Sequence, residues 1–389
     1  MIRKTLTALL FFVLALGAYL VFAPVPIEPV AWNAPTHVGY NGPHAPNARL
    51  ASLQRIDIGS DVGPEHVAIG PDKKLYAAVA GGKILRMNPD GSLPEVWAQT
   101  GGRVLGFDFD ASGRLIAADA MRGLLAIDPG AERKITVLAD KIVVNGASDP
   151  IRYADAVVVA KDGKIYFTDA SRRFGPAEWG GTFNASVLDI VEHASTGRVL
   201  VHDPATGKTD IVMNGLSFAN GIALANDEQS LFVAETGEYR IWKIAASARN
   251  LEAKQLAQAP ENTPARILLA NLPGYPDNLM RGLNGRIWVG FAKPRGAAID
   301  AMADKPFLRK MTMRLPKSLW PVPPAYGHVV AFSETGQIIA DLQDPSGQYP
   351  ETTGVTETAD RLYIQSLHAP VLGWLPATDF GRLDQQARN

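Results

Sequence analysis

Glu65, Asp155, Asn220 and Asp277 stand at one recurring place in this sequence, the entry to a short β-rich run. Their contexts are Gly63-Pro64-Glu65, Tyr153-Ala154-Asp155, Phe218-Ala219-Asn220-Gly221 and Tyr275-Pro276-Asp277-Asn278, while Leu105-Gly106 and Gly354-Val355 fill the same place without a carboxylate or amide. Taken singly, an Asp or Asn there is a turn residue. Repeated in an apolar setting, the four make a hard-oxygen set suited to Ca²⁺, which takes about six to eight oxygens at about 2.3–2.6 Å. A cation so held polarises a carbonyl and stabilises an oxyanion. His368, in Ser366-Leu367-His368-Ala369-Pro370, reads either as a general base or carbonyl-polarising donor, or as a hydrogen-bonded loop histidine. His66 adjoins Glu65, but strand alternation turns it the other way and gives it a structural role. The chain has no cysteine, which excludes a thiolate nucleophile, a thiolate zinc site and a disulfide framework. It also has no GxSxG elbow, HExxH pair, P-loop or dinucleotide glycine motif; Gly101-Gly102 and Gly180-Gly181 are turn glycines.

The elements that must position these residues form a repeat. Six β-rich runs, LYAAVA from Leu75, LIAADA from Leu115, IYFTDA from Ile165, LFVAET from Leu231, IWVGFA from Ile287 and LYIQSL from Leu362, recur along the chain. Each follows a first strand-like run (HVAIG, VLGFDF, DAVVVA, NGIALA, DNLMRG, GVTETA) and precedes a third (GKILRM, GLLAID, GRVLVHD, YRIWKI, GHVVAF, VLGWLP). Asp90-Gly91, Asp162-Gly163 and Asn284-Gly285 supply turns needing positive φ. Sheets repeating at such intervals read as propeller blades, which must stack in a ring because one blade cannot bury both its faces. The expectation is an all-β, six-bladed β-propeller over residues 47–378, with a polar tail at 379–389. The 36 glycines and 28 prolines suit a turn-rich fold. Between Gly296 and Leu319 the pattern turns helical, with Phe307, Leu308, Met311 and Leu315 at helical spacing and basic residues between them. This is a helical insertion in the fifth blade, lying over the tunnel mouth, on a membrane surface, or merely packed on the blade.

Arg3 and Lys4 precede an uncharged apolar run from about Leu6 to Ala23. That length is near the lower limit for a membrane-spanning helix and long for the apolar core of a cleaved signal peptide. Pro24 sits awkwardly for cleavage after Ala23, so residues 1–23 read as an uncleaved signal-anchor. Basic residues before the span put the large domain outside the cytoplasm: the periplasm in a bacterium, a lumen in a eukaryote. If the segment is cleaved, the domain is secreted. Residues 24–46, rich in Pro and Asn, read as an extended linker. A net charge of −1 gives no basic footprint for nucleic acid.

The stretches GPEHVAIGPDKKLYAAVAGGKIL, YADAVVVAKDGKIYFTDASRRF, NGLSFANGIALANDEQSLFVAETGEYRIWKI, GYPDNLMRGLNGRIWVG and RLYIQSLHAPVLGWL together touch five of the six blades. They resemble the six-bladed propellers of the strictosidine synthase-like, adipocyte plasma membrane-associated protein-like family. Gluconolactonase/regucalcin proteins and paraoxonases are more distant relatives. The resemblance implies a calcium ion in the tunnel with Glu65, Asn220 and Asp277 at ligand positions. A fourth ligand in hydrolytic relatives is an Asn whose place here is held by Ala154, followed by Asp155. Either Asp155 substitutes, or water completes the set, or metal binding is lost as in the alkaloid-forming synthases. A one-residue shift along a regular strand turns a side chain to the opposite face, which bears directly on the first option. Glu357 lies where those synthases carry their catalytic glutamate, and otherwise reads as a solvent-facing carboxylate.

The expected activity is a membrane-anchored, calcium-dependent hydrolase of small-molecule esters or lactones, with water activated by Asp277 or His368. The alternatives are a condensing lyase that shuttles protons through Glu357 without metal, and a binding propeller without turnover.

Overall fold

Three second strands of the repeat are buried along their whole length: Leu75–Ala78, Leu115–Asp119 and Ile165–Asp169 expose no residue on either face. A strand covered on both faces reads as a continuous apolar run instead of an alternating one. In the computed structural model, which describes residues 2–258, 260 and 263–378, neighbouring blades supply those two covers. Among the described residues the strands form six blades plus a two-stranded hairpin, Lys141–Val144 with Ala147–Pro150. The expected polar tail, 379–389, lies outside the described residues.

The innermost strands of blades 1 to 6 are His66–Ile69, Val104–Phe109, Ala154–Val159, Ala219–Leu224, Gly274–Arg281 and Thr352–Glu357. The six repeated runs supply the second strand of every blade, and the third runs follow in order. Blade 6 takes its outermost strand from the other end of the chain: Gln54–Asp57 pairs antiparallel with Val371–Trp374 and closes the ring.

Two helical excursions rise from the blades on the side where the innermost strands begin. One is the insertion of blade 5, with helices Ala297–Ala301 and Pro306–Met313. Its polarity differs from expectation. Phe307 and Leu308 are exposed, whereas Arg309 is fully buried and caps the carbonyls of Val191 and Ala303. The other, Thr182–Glu192, interrupts blade 3 and buries Ala185, Leu188 and Val191.

Residues 24–46 are not a free linker. Ile27 is fully buried, Val30 N–H bonds Glu192 O at 2.8 Å, and Trp32 stacks on His193 at 4.0 Å. Further along, His44 Nδ1 and His328 Nε2 both bond Asp341 Oδ2, at 2.7 and 2.8 Å, pinning the segment to blade 5. Such buried polar fasteners are invisible to a composition-based reading of a Pro-rich stretch. Ahead of it, Ile2–Phe22 is a 21-residue helix with no buried residue, long and apolar enough to cross a membrane.

Candidate active site

The site is held by a repeated clamp. An acid at or near the end of a second strand accepts a hydrogen bond from the backbone leading into the innermost strand beside it. Asp119 Oδ1 takes the Arg103 N–H at 3.0 Å, Asp169 Oδ1 the Tyr153 N–H at 2.9 Å, and Glu235 Oε1 the Ser217 N–H at 2.9 Å. The chain is thereby fixed just before Leu105, Asp155 and Asn220.

A β-bulge then aims the side chains. Blade 3 pairs Ala154 with Asp169 and next Val157 with Phe167, so Asp155 and Ala156 together oppose one residue. Blade 4 does the same at Asn220-Gly221, blade 5 at Asp277-Asn278 and blade 6 at Thr353-Gly354. Asp155 is therefore the structural equivalent of Asn220, and Ala154 of Ala219. Asp155 thus faces the axis although it lies one residue past Ala154, because an extra residue in a bulge cancels the face change that a regular strand would impose. Small residues beside the bulges let the strands approach. A Cβ on Gly221 would lie 2.2 Å from Leu279 N.

Glu65, Asp155, Asn220 and Asp277 all line one cleft at the ring axis, enclosing about 1210 Å³ of empty space that is partly open to solvent. All four are buried. Burial pushes the Asp155 carboxyl well above its ordinary range, and the neighbouring charges of Asp277 and Glu65 push it further. Asp277 is raised by burial and by Glu65, against the opposing pull of the Asn220 side chain. Glu65 is raised by burial against the opposing pull of Arg103.

Arg103, on the run into blade 2, is the site residue that sequence reading missed. Its guanidinium ion-pairs with Glu65 through Nη2, and its buried Nη1 has no partner among the described residues. Asn220 Oδ1 is likewise buried without a partner. Three carboxylates facing one guanidinium, with an amide oxygen left over, form a donor set that fits a hard cation. The Thr353 hydroxyl and the Asn278 amide bond the Glu65 carbonyl at 2.7 and 3.0 Å and steady its backbone. Arg103 lacked a motif of its own; the recurrent acids at the ends of the second strands were the legible sign that the preceding loops are fixed.

His368 stands on the cleft rim with Nδ1 bonded to Glu351, which also pairs with Lys293 at 2.8 Å. The Glu351 bond raises the His368 pKa, and its partners hold Glu351 down at about 2 despite burial. His66 lies on the far face of its strand against Phe107 at 4.7 Å, and burial lowers its pKa to about 4.

Glu357 is not in the cleft. It ends the innermost strand of blade 6, four positions past Thr353 and so roughly 13 Å along the strand. Nor is it solvent-facing. Oε2 accepts from Leu283 N–H at 3.0 Å and from Arg286 Nε and Trp288 Nε1 at 2.9 Å each, and Oε1 pairs with Arg286. It fastens blade 6 to blade 5. The apolar lid over the site comes from the two helical excursions, through Phe183, Val187, Ile190, Met313, Trp320 and Val322.

A closed ring of six blades with an acidic cluster at one end of its axis makes this a six-bladed β-propeller of the gluconolactonase/regucalcin type of fold. A gluconolactonase from Xanthomonas campestris superposes with a TM-score of 0.57 at 20% identity, covering 92% of this chain and 98% of that one. A calcium-binding protein, regucalcin, from Agrobacterium tumefaciens gives 0.53 at 14%, covering 83% and 93%. The chain belongs to the strictosidine synthase-like family. Residues 42–87 match the family described as "Strictosidine synthase-like, N-terminal" and residues 155–249 that described as "Strictosidine synthase". Protein STRICTOSIDINE SYNTHASE-LIKE 7 of Arabidopsis thaliana is 31% identical over 297 residues, covering 75% of this chain and 70% of that protein. The adipocyte plasma membrane-associated protein of Salmo salar is 29% identical over 393 residues, covering 95% and 88%.

Proposed function

We propose that this propeller is a membrane-anchored hydrolase of carboxylic esters or lactones whose acidic cluster holds a calcium ion. The observation that carries this reading is the convergence of Glu65, Asp155, Asn220 and Asp277 from four blades at the floor of one apolar-lidded cleft. Those four residues would hold the ion, and when bound it supplies positive charge to polarise a carbonyl.

The protein's own groups supply the rest. The unpartnered Nη1 of Arg103 donates to the carbonyl oxygen as it gains negative charge. His368, oriented through Nδ1 by Glu351, accepts a proton from water at its other ring nitrogen. The water oxygen bonds to the carbonyl carbon, the bond to the alkoxy oxygen breaks, and the proton passes to the departing alkoxide. A free acid and an alcohol result, or a hydroxy acid from a lactone. The lid residues exclude bulk water and select the acyl or ring portion by shape. The name of the salmon relative, plasma membrane-associated, and the apolar helix Ile2–Phe22 support the anchored reading.

The test is elemental analysis of the purified full chain, followed by a panel of aryl esters and lactones with and without chelator. Bound calcium and chelator-sensitive turnover are expected. Absence of calcium together with chelator-indifferent turnover would overturn the metal half of the reading.

A further inference from the structure

The end of the N-terminal helix and the mouth of the cleft meet at a single residue. Tyr19 donates its hydroxyl proton to Arg314 O at 3.2 Å, and the Arg314 guanidinium returns bonds to Leu20 O at 2.9 Å and Ala23 O at 2.6 Å. Those carbonyls close the last turn of the apolar helix, where acceptors lack intrahelical partners and a cation suits the helix dipole. Arg314 directly follows the lid helix Pro306–Met313. Thr312 and Met313 before it and Trp320 to Pro323 after it line the cleft.

The surface around this junction is apolar. Phe183, Phe307, Leu308, Leu319 and Val322 are exposed, Leu319 at 63%, and Phe183 and Val322 also line the cleft. Lys305, Lys310 and Lys317 lie among them on the insertion, the arrangement of a surface that lies in a bilayer interface. The chain leaving the helix has no slack to carry the propeller away. Val30 and Trp32 are hydrogen-bonded to Glu192 and Ala303, one on each side of the lid.

We propose that the cleft mouth rests on the bilayer leaflet from which the N-terminal helix emerges, and that its substrate is a lipophilic, membrane-partitioned ester or lactone. The substrate half rests on the hydrolase reading; the placement half does not. The apolar rim and lid form a continuous path from acyl-chain depth to the carboxylate floor. A long-chain acyl ester follows that path without its apolar part passing through water.

The native chain has no cysteine, so a single introduced thiol reports one place. Full-length protein carrying Leu319→Cys, Val322→Cys or, in a blade 2 hairpin turn at the opposite end of the ring, Ala111→Cys is labelled with an environment-sensitive fluorophore and reconstituted into phosphatidylcholine vesicles. Doxyl-labelled phosphatidylcholine should quench the first two at least twofold more than the third. Equal quenching by aqueous iodide at all three positions, with none from lipid, overturns the placement. The second arm compares Phe307→Glu/Leu319→Glu with the parent in vesicles. Hydrolysis of a fluorogenic long-chain acyl ester should fall at least fivefold, and hydrolysis of the matching acetate should stay within twofold. An equal fall for both esters overturns the substrate half. If no ester is turned over by the parent, the hydrolase reading and the substrate half fall together, while the quenching result still decides the placement.

Discussion

Arg103 and Glu65 are ion-paired across the boundary between blades 1 and 2, with both side chains buried. The pair offsets one of three carboxylate charges at the ring axis and leaves an N–H of the guanidinium unspent. Removing one partner strands the other in a low-dielectric interior. Arg103→Met should therefore cost about 3 kcal/mol of stability, read from the urea midpoint. It should also lower kcat/KM for any ester found. Millimolar calcium should recover part of the lost stability, since a cation that binds only the native state replaces the missing charge. No recovery would speak against cation binding at the cluster.

Asp155 and Asp277 carry raised pKa values, which makes each a destabilising group at high pH. The sign follows from proton uptake. As pH falls through the raised folded-state values toward the ordinary carboxylate range, the native state takes up protons before the unfolded chain does, and stability rises. Calcium-free protein should thus gain stability on mild acidification until other groups reverse the trend. Asp155→Asn should flatten that rise and stabilise the calcium-free protein at neutral pH. The same substitution should shrink the thermal shift caused by calcium. An unchanged pH profile in Asp155→Asn would show that the cluster is not strained by its own charge.

The His368–Glu351 pair should act in a different window. Glu351, depressed to about 2, contributes stability that is present above its ordinary value and lost as pH falls through about 2. His368, raised, contributes stability that is complete below its ordinary value and lost as pH rises through the folded one. Both contributions are whole only between roughly pH 4.5 and 6.5. The half-exposed imidazole limits the gain to about 1 kcal/mol or less. Thermal midpoints of His368→Gln against the parent across pH should show their largest gap in that interval. Turnover should fall at all pH values.

Glu357→Gln tests a structural assignment. The amide keeps one acceptor oxygen but loses the charge facing Arg286 and puts an N–H donor where an acceptor stood among donors. A loss of about 1–3 kcal/mol is expected, with kcat/KM of the remaining folded protein within twofold of the parent. Abolished turnover in a protein of unchanged stability would return Glu357 to the chemistry.

The ring was readable because its second strands bury both faces and leave six like apolar runs. The acidic entries were readable for a related reason, since a carboxylate at the same register of several repeats needs a common cause. Reading failed where geometry departs from the repeat. The bulge at Ala154–Val157 changes which residue faces the axis without changing the residue pattern. Arg103 lies outside the register that drew attention to Glu65. The helix Thr182–Glu192 hides in a stretch with ordinary polarity. Arg309, placed on the polar face by helical spacing, is buried because two of the carbonyls it caps, those of Val191 and Val30, belong to segments far away in sequence.

The pairing of Gln54–Asp57 with the last strands has a consequence for biogenesis. Nearly the whole chain separates the partners, so the ring cannot shut until its final residues have been made. Loop-closure entropy grows only slowly with length and is a modest equilibrium cost. Timing is the harder constraint. With the amino terminus engaged first, the closing strand waits as an unpaired edge while five blades form behind it, a state open to mispairing with other chains. A chain cut short before Val371 would lack the latch, and the apolar flank of its first blade would stay open to quality-control machinery.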